Sequence, residues 1–230
     1  MNSVRTVSDT KRSFYNLHTR PVNSIFRRVV EELMVEMHLL AVNTDFRYDP
    51  FYALGVVTTF DRFMQGYRPE ADKESIFSSL CRALESDPQQ YRNDAQHLLS
   101  AASQTPWENL VIPDKAGEFR EVLAAIASNP KFKYSRLFAV GVYTVIETAS
   151  PDSVKDTAKL TEALKQVGQA LNLSQDKMQK DLELYRSNLE KMTQIQAVIA
   201  DALAADRKKR EERAQAKTVE PSKDEATTES

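Results

Sequence analysis

Residues 49–69 read DPFYALGVVTTFDRFMQGYRP, and a helix with almost no hydrophilic face accounts for them. Asp49 offers a side-chain oxygen to the free N–H groups of a first turn, and Pro50 suits the first helical position, where its missing N–H has no partner to lose. Phe51, Tyr52, Ala53, Leu54, Val56, Val57, Phe60, Phe63 and Met64 cover most of the circumference. Thr58, Asp61, Arg62 and Gln65, spaced i, i+3, i+4, i+7, leave one narrow polar line. Gly66 ends the helix and Pro69 prevents its resumption. A helix apolar on nearly every side belongs at the centre of a helical domain. Its polar line then needs internal partners or an external ligand.

The flanking sequence supplies helices to surround it. Pro21 to about Val42 places Val22, Phe26, Val29, Val30, Leu33, Met37 and Leu40 on one side. Residues 70–86 turn Ile76, Phe77, Leu80, Cys81 and Leu84 inward, and Asp87-Pro88 opens a helix to about Ser103. QTPWENLVIP, residues 104–113, reads as an ordered loop with Trp107 plugging the core edge. Helices over 114–128 and 135–149 follow, ended by Pro130 and Pro151. The second contains AVGVYTVIE, an echo of ALGVVTTFD at residues 53–61. Two buried helices of like composition explain the echo. A closer reading has Gly55 and Gly141 letting the helices approach, with the Thr and acid positions sharing a polar network.

The C-terminal third differs. Leu160, Leu164, Val167 and Leu171 mark one arm of a hairpin. Ser174 caps a second, longer arm whose seam alternates four and three residues from Met178 through Leu182, Tyr185, Leu189, Met192, Gln196 and Ile199 to Leu203. The first arm is too short to cover that seam, so the long helix is expected to project partly beyond it. The expected organisation is an extended basic N-terminus over 1–13, an all-α globular domain over 14–150, a helical hairpin with a coiled-coil seam over 151–215, and a disordered acidic tail over 216–230. The short link between the arms favours an intramolecular hairpin and a monomer.

Composition excludes several classes. The chain has 230 residues, a net charge of −2 and only 5 glycines, so neither a nucleic-acid-recruiting field nor Gly-rich phosphate loops are expected. A single cysteine, Cys81, permits no internal disulfide, and its apolar helical setting reads as a buried small hydrophobe. Phe51–Val57 and Leu137–Tyr143, the longest apolar runs, fall short of the ~20 residues needed to span a bilayer. GxSxG, Walker, GxGxxG and CxxC patterns are missing, and His18, His38 and His97 lie in separate segments without metal-ligand spacing. Glu31, Glu32 and Glu36 read as a solvated face. No catalytic residue, metal or cofactor is expected.

The central stretch, NTDFRYDPFYALGVVTTFDRFMQGYRPE, together with TVSDTKRSFYNLHTRPVNSIFRRVVEELMVEMHLL before it, resembles the thylakoid formation protein family, also called the photosystem II biogenesis protein family. The likeness is dense from about Thr6 to Ala95 and looser to about Leu203. It implies an all-helical, non-enzymatic accessory factor of oxygenic phototrophs. Such a factor would be peripheral to the thylakoid membrane on its cytoplasmic or stromal face, and would support photosystem II turnover by binding and stabilising an FtsH-type membrane protease complex. The family-like sequence starts near Met1, so a bacterial protein or a processed form is expected.

Two clusters are candidate contact surfaces. Asp61, Arg62, Gln65, Tyr67 and Arg68 gather partner-contact residue types at a helix end, and they could equally tie that helix to its neighbours. Arg207, Lys208, Lys209 and Arg210 could meet an anionic membrane or acidic partner. They also complement a helix C-terminus, and they give the rival reading of a signalling or nucleic-acid-binding adaptor. Aromatic residues are missing beside them, which argues against base stacking.

Overall fold

A computed structural model describes residues 5–218, with side chains to residue 212. Eleven α-helices and no strand are found among them: α1 Val7–Leu17, α2 Ser24–Ala41, α3 Pro50–Phe63, α4 Asp72–Ala83, α5 Pro88–Ala102, α6 Glu108–Val111, α7 Arg120–Ser128, α8 Arg136–Ala149, α9 Pro151–Lys155, α10 Thr157–Leu171 and α11 Gln175–Thr218. One compact unit runs to Ser187, and a second begins at Asn188.

The first unit is built around α3 and α8. Both are 14 residues long and both are capped from the side chain before them. Asp49 accepts the Tyr52 N–H at 2.9 Å, and Ser135 accepts that of Phe138 at 3.0 Å. The two glycines of the sequence echo sit where the helices cross. A Cβ on Gly55 would stand 1.7 Å from the Leu137 carbonyl oxygen, and one on Gly141 would stand 1.8 Å from that of Phe51. Backbone therefore touches backbone, which only glycine permits. Cap, glycine and contacted carbonyl recur at one sequence offset in both helices, so the contact is reciprocal. The expected shared network of the Thr and acid positions does not form. Thr144 donates to Val140 O of its own helix at 2.7 Å, and the two acids of the echo pair with different arginines.

Other helices cover this pair. α5 packs on α3, with the rings of Tyr52 and Tyr91 5.9 Å apart. α1 lies against α2 and α4, and α10 against α7 and α9. Trp107 is buried, as are Ile76, Phe77, Leu80 and Cys81 of α4 and Leu84 just past its end.

Three expectations need correction. The N-terminus is not extended over the described part of 1–13, which is helical from Val7. Thr6 and Asp9 form a reciprocal capping box, with the Asp9 N–H donating to Thr6 Oγ1 at 3.2 Å and the Thr6 N–H to Asp9 Oδ2 at 3.0 Å. The helix so started buries Thr10 and Phe14. The helix expected over 114–128 is broken into 3₁₀ turns at Pro113–Lys115 and Gly117–Phe119 before α7, because Gly117 takes φ +52°. The boundary expected at 150 does not separate compact units. Leu160, Leu164, Val167 and Leu171 are all buried, in a helix that packs on α7 and α9.

Asn172 ends α10 in the left-handed conformation at φ 55°, and Ser174 Oγ accepts the Lys177 N–H at 3.3 Å to start α11. The link between the two helices is thus short, Asn172 to Ser174. Met178, Leu182 and Tyr185 are buried in the first unit. In the second unit, Ile195, Val198, Ile199 and Leu203 are 43%, 68%, 37% and 66% exposed. The helix continues to Thr218, three residues past its expected end. The acidic tail from Val219 onward lies outside the described residues.

Candidate partner-binding site

The polar line of α3 resolves into two internal ties. Arg62 Nη2 forms a very short ion pair with Glu147 Oε2 on α8, and Glu147 Oε1 accepts the Tyr143 hydroxyl at 3.2 Å. The Tyr185 hydroxyl is buried beside this group without a hydrogen bond of ordinary geometry. Burial raises its pKa more than the Arg62 charge lowers it. Asp61, on the other edge, accepts Arg92 Nη1 of α5 at 2.7 Å, and Arg92 Nη2 lies 3.3 Å from Glu74 of α4. The Arg92 guanidinium stands 4.1 Å above the Phe77 ring centre, so one cation joins three helices.

The cluster expected at the end of this helix is therefore not one surface. Tyr67 is 1% exposed and packs edge-on against Phe26 at 5.1 Å, which removes it as a contact residue. Its ring adds more stability inside the core than on the surface. Arg62 is turned toward α8 and α11. Asp61, Gln65 and Arg68 are exposed, and among the described residues Arg68 reaches only Glu70, at 3.3 Å.

At the far end of α11, Arg207, Lys208, Lys209 and Arg210 are all exposed. Arg207 pairs with Glu211, and Arg210 with Asp206, each at 2.9 Å one helical turn away. Such exposed pairs contribute only a few tenths of a kcal/mol. They also halve the uncompensated positive charge that a nucleic acid or membrane would meet.

Among the described residues no group of His, Cys, Asp or Glu is placed to hold a metal ion. Cys81 is buried, which pushes its thiol up to about 12. His38 meets Thr10 at 2.9 Å and His18 meets Ser75 at 3.1 Å, inside the helix packing. No described helix is long and apolar enough to cross a membrane.

The pattern of the thylakoid formation protein family matches residues 6–214. The chain belongs to this family. Protein Thf1 of Nostoc punctiforme is 61% identical over 226 residues, spanning 95% of this chain and 96% of that protein. Protein Thf1 of Trichormus variabilis is 62% identical over 222 residues, spanning 94% and 95%. A solved structure of Psb29, 46% identical, superposes with a TM-score of 0.71 and covers 82% of this chain and 98% of its own. The family's all-α architecture is thus shared at high identity, and a role in thylakoid formation comes with membership.

Sequence reasoning gave two members of this site no partner. Glu147 entered only as the acid that closes the echo in the same register as Asp61, without Arg62. Arg92 carried no local signal, because its partners come from α3 and α4. The capping box TVSD at residues 6–9 was legible and marks α1.

Proposed function

We propose that this protein is a non-enzymatic binding factor in photosystem II biogenesis and repair. It acts by docking on an FtsH-type protease complex of the thylakoid membrane and stabilising it. The observation that carries the reading is the outer part of α11. The first unit has a closed core, whereas Ile195, Ile199 and Leu203, at i, i+4 and i+8 on one face of the helix, stay 37–66% exposed. An apolar row left uncovered in a single chain is a contact surface for another protein. Asp61, Gln65 and Arg68 provide a second, polar contact. Arg207, Lys208, Lys209 and Arg210 hold the protein, as a monomer, to the anionic cytoplasmic or stromal face of the membrane, peripherally and in a salt-sensitive way. Family membership supports the thylakoid setting.

The test is the lifetime of the protease subunits after arrest of protein synthesis, in cells with and without this protein. The reading requires a shorter lifetime in its absence. Equal lifetimes would remove the stabilising role.

A further inference from the structure

An open groove of about 870 Å³ runs along the outer face of α2 and continues into a smaller hollow of about 280 Å³ beside the starts of α8 and α11. Glu36, Leu39, Arg136 and Asp181 line both parts, so they form one trough within the first unit. Val35 and Leu39 line the trough four residues apart on α2, and Val42 follows three further on; Leu39 is 58% and Val42 39% exposed. This 4-3 spacing is the spacing by which one helix packs on another.

The walls are charged, and their charges are unevenly satisfied. Three of the four carboxylates in the trough pair with a cation, and the fourth, Asp181, accepts a tyrosine hydroxyl beside Lys133 and Lys177, which outnumber it. Glu31 accepts Lys11 at 2.7 Å and Tyr15 at 2.6 Å; Glu32 accepts Arg28 at 2.8 Å; Glu36 accepts Arg136 at 2.6 Å; Asp181 accepts Tyr134 at 2.8 Å. Arg27 at one end, and Lys133 and Lys177 at the other, make no ion pair with any described carboxylate. Lys177 sits 4.8 Å over the Tyr134 ring, in the first turn of α11, where the helix dipole adds positive potential. The trough therefore presents an apolar row between two cationic ends.

The geometry points to a docking site for an acidic amphipathic helix of a partner protein. Its apolar side lies on Val35 and Leu39 in the trough and continues past its edge onto Val42, and its carboxylates meet Arg27 at one end and Lys133 and Lys177 at the other. Ser24 to Leu39 spans about 22 Å of α2, room for about four helical turns of a partner. The site is separate from the α11 seam and does not depend on which complex that seam binds.

The probe is a fluorescein-labelled helical peptide of about 18 residues with leucines at 3-4 spacing and glutamates on both flanks, titrated into the full-length protein by anisotropy. Saturable binding is expected, at least about tenfold weaker for a peptide with lysine in place of every glutamate. Leu39→Gln, and separately the pair Arg27→Glu with Lys177→Glu, should each weaken binding of the glutamate peptide at least about tenfold. These are surface changes, and unchanged circular dichroism would confirm the fold. Failure of the glutamate peptide to bind, equal binding of the lysine peptide, or indifference to all three substitutions would overturn the proposal. So would phosphatidylglycerol vesicles binding through Arg27 and Lys177 in place of the peptide, which would make the occupant a lipid surface. A dimer in light scattering abolished by Leu39→Gln would overturn it too, by making the occupant a second copy.

Discussion

Gly55 and Gly141 are where single residues decide the fold. A methyl group at either position would lie inside the van der Waals radius of a backbone carbonyl that belongs to the facing helix and cannot rotate away. Gly55→Ala should therefore cost about 3 kcal/mol or more, although alanine favours helix elsewhere. In thermal unfolding that is a fall of roughly 6–12 °C, and an unchanged midpoint would show that the two helices stand apart. Asp49 makes a second residue-scale prediction. Burial pushes its carboxyl from 3.8 up to about 7, against the two backbone hydrogen bonds that lower it. The folded state thus holds a proton that the unfolded state releases, so Asp49 should lose stability as pH rises from about 4 to 7 and change nothing further above that. Asp49→Asn keeps the cap oxygen without the charge. Denaturant titrations should show the variant gaining on the parent across that interval. A constant difference from pH 4 to 8 would mean the carboxyl titrates normally.

The polar edge of α3 behaves as a set of ties between helices. Arg62 and Glu147 are each about 30% exposed, between a buried pair and a surface pair. Their coupling in a double-mutant cycle should be about 1–2 kcal/mol. Arg68→Ala should leave the melting temperature unchanged, because Arg68 is 78% exposed and among the described residues reaches only Glu70. If Arg62→Ala proves silent and Arg68→Ala destabilises, the assignment of tie and surface is reversed. Much of this scale was legible in the sequence. The cap Asp49, the inward faces of α2 and α4, and the echo that brings α3 onto α8 all follow from local pattern. What was not legible was which partner each charge takes. Asp61 and Arg62 are adjacent, yet they face α5 and α8, because successive helical residues point about 100° apart. Tyr67 looks like an interface residue by type, and only the position of Phe26 turns it into core.

For the whole molecule, the proposed function places stability in the closed first unit and partner contact on the exposed apolar face of α11. Truncation after Ala204 removes only exposed residues among those described, so melting should shift by no more than about 2 °C. A large loss would mean that the helix end supports the core. Sequence periodicity revealed the seam from Met178 to Leu203 as one feature, but not where its cover ends, since that depends on the neighbours available to each turn. The claim that this uncovered part is the working surface is tested most directly by titrating the purified protein against a purified FtsH-type complex held in lipid nanodiscs. The account predicts saturable binding that Ile199→Ser with Leu203→Ser weakens at least about tenfold while the melting temperature stays at the parent value. Binding of equal strength in the variant, or no saturable binding by the parent, would contradict it.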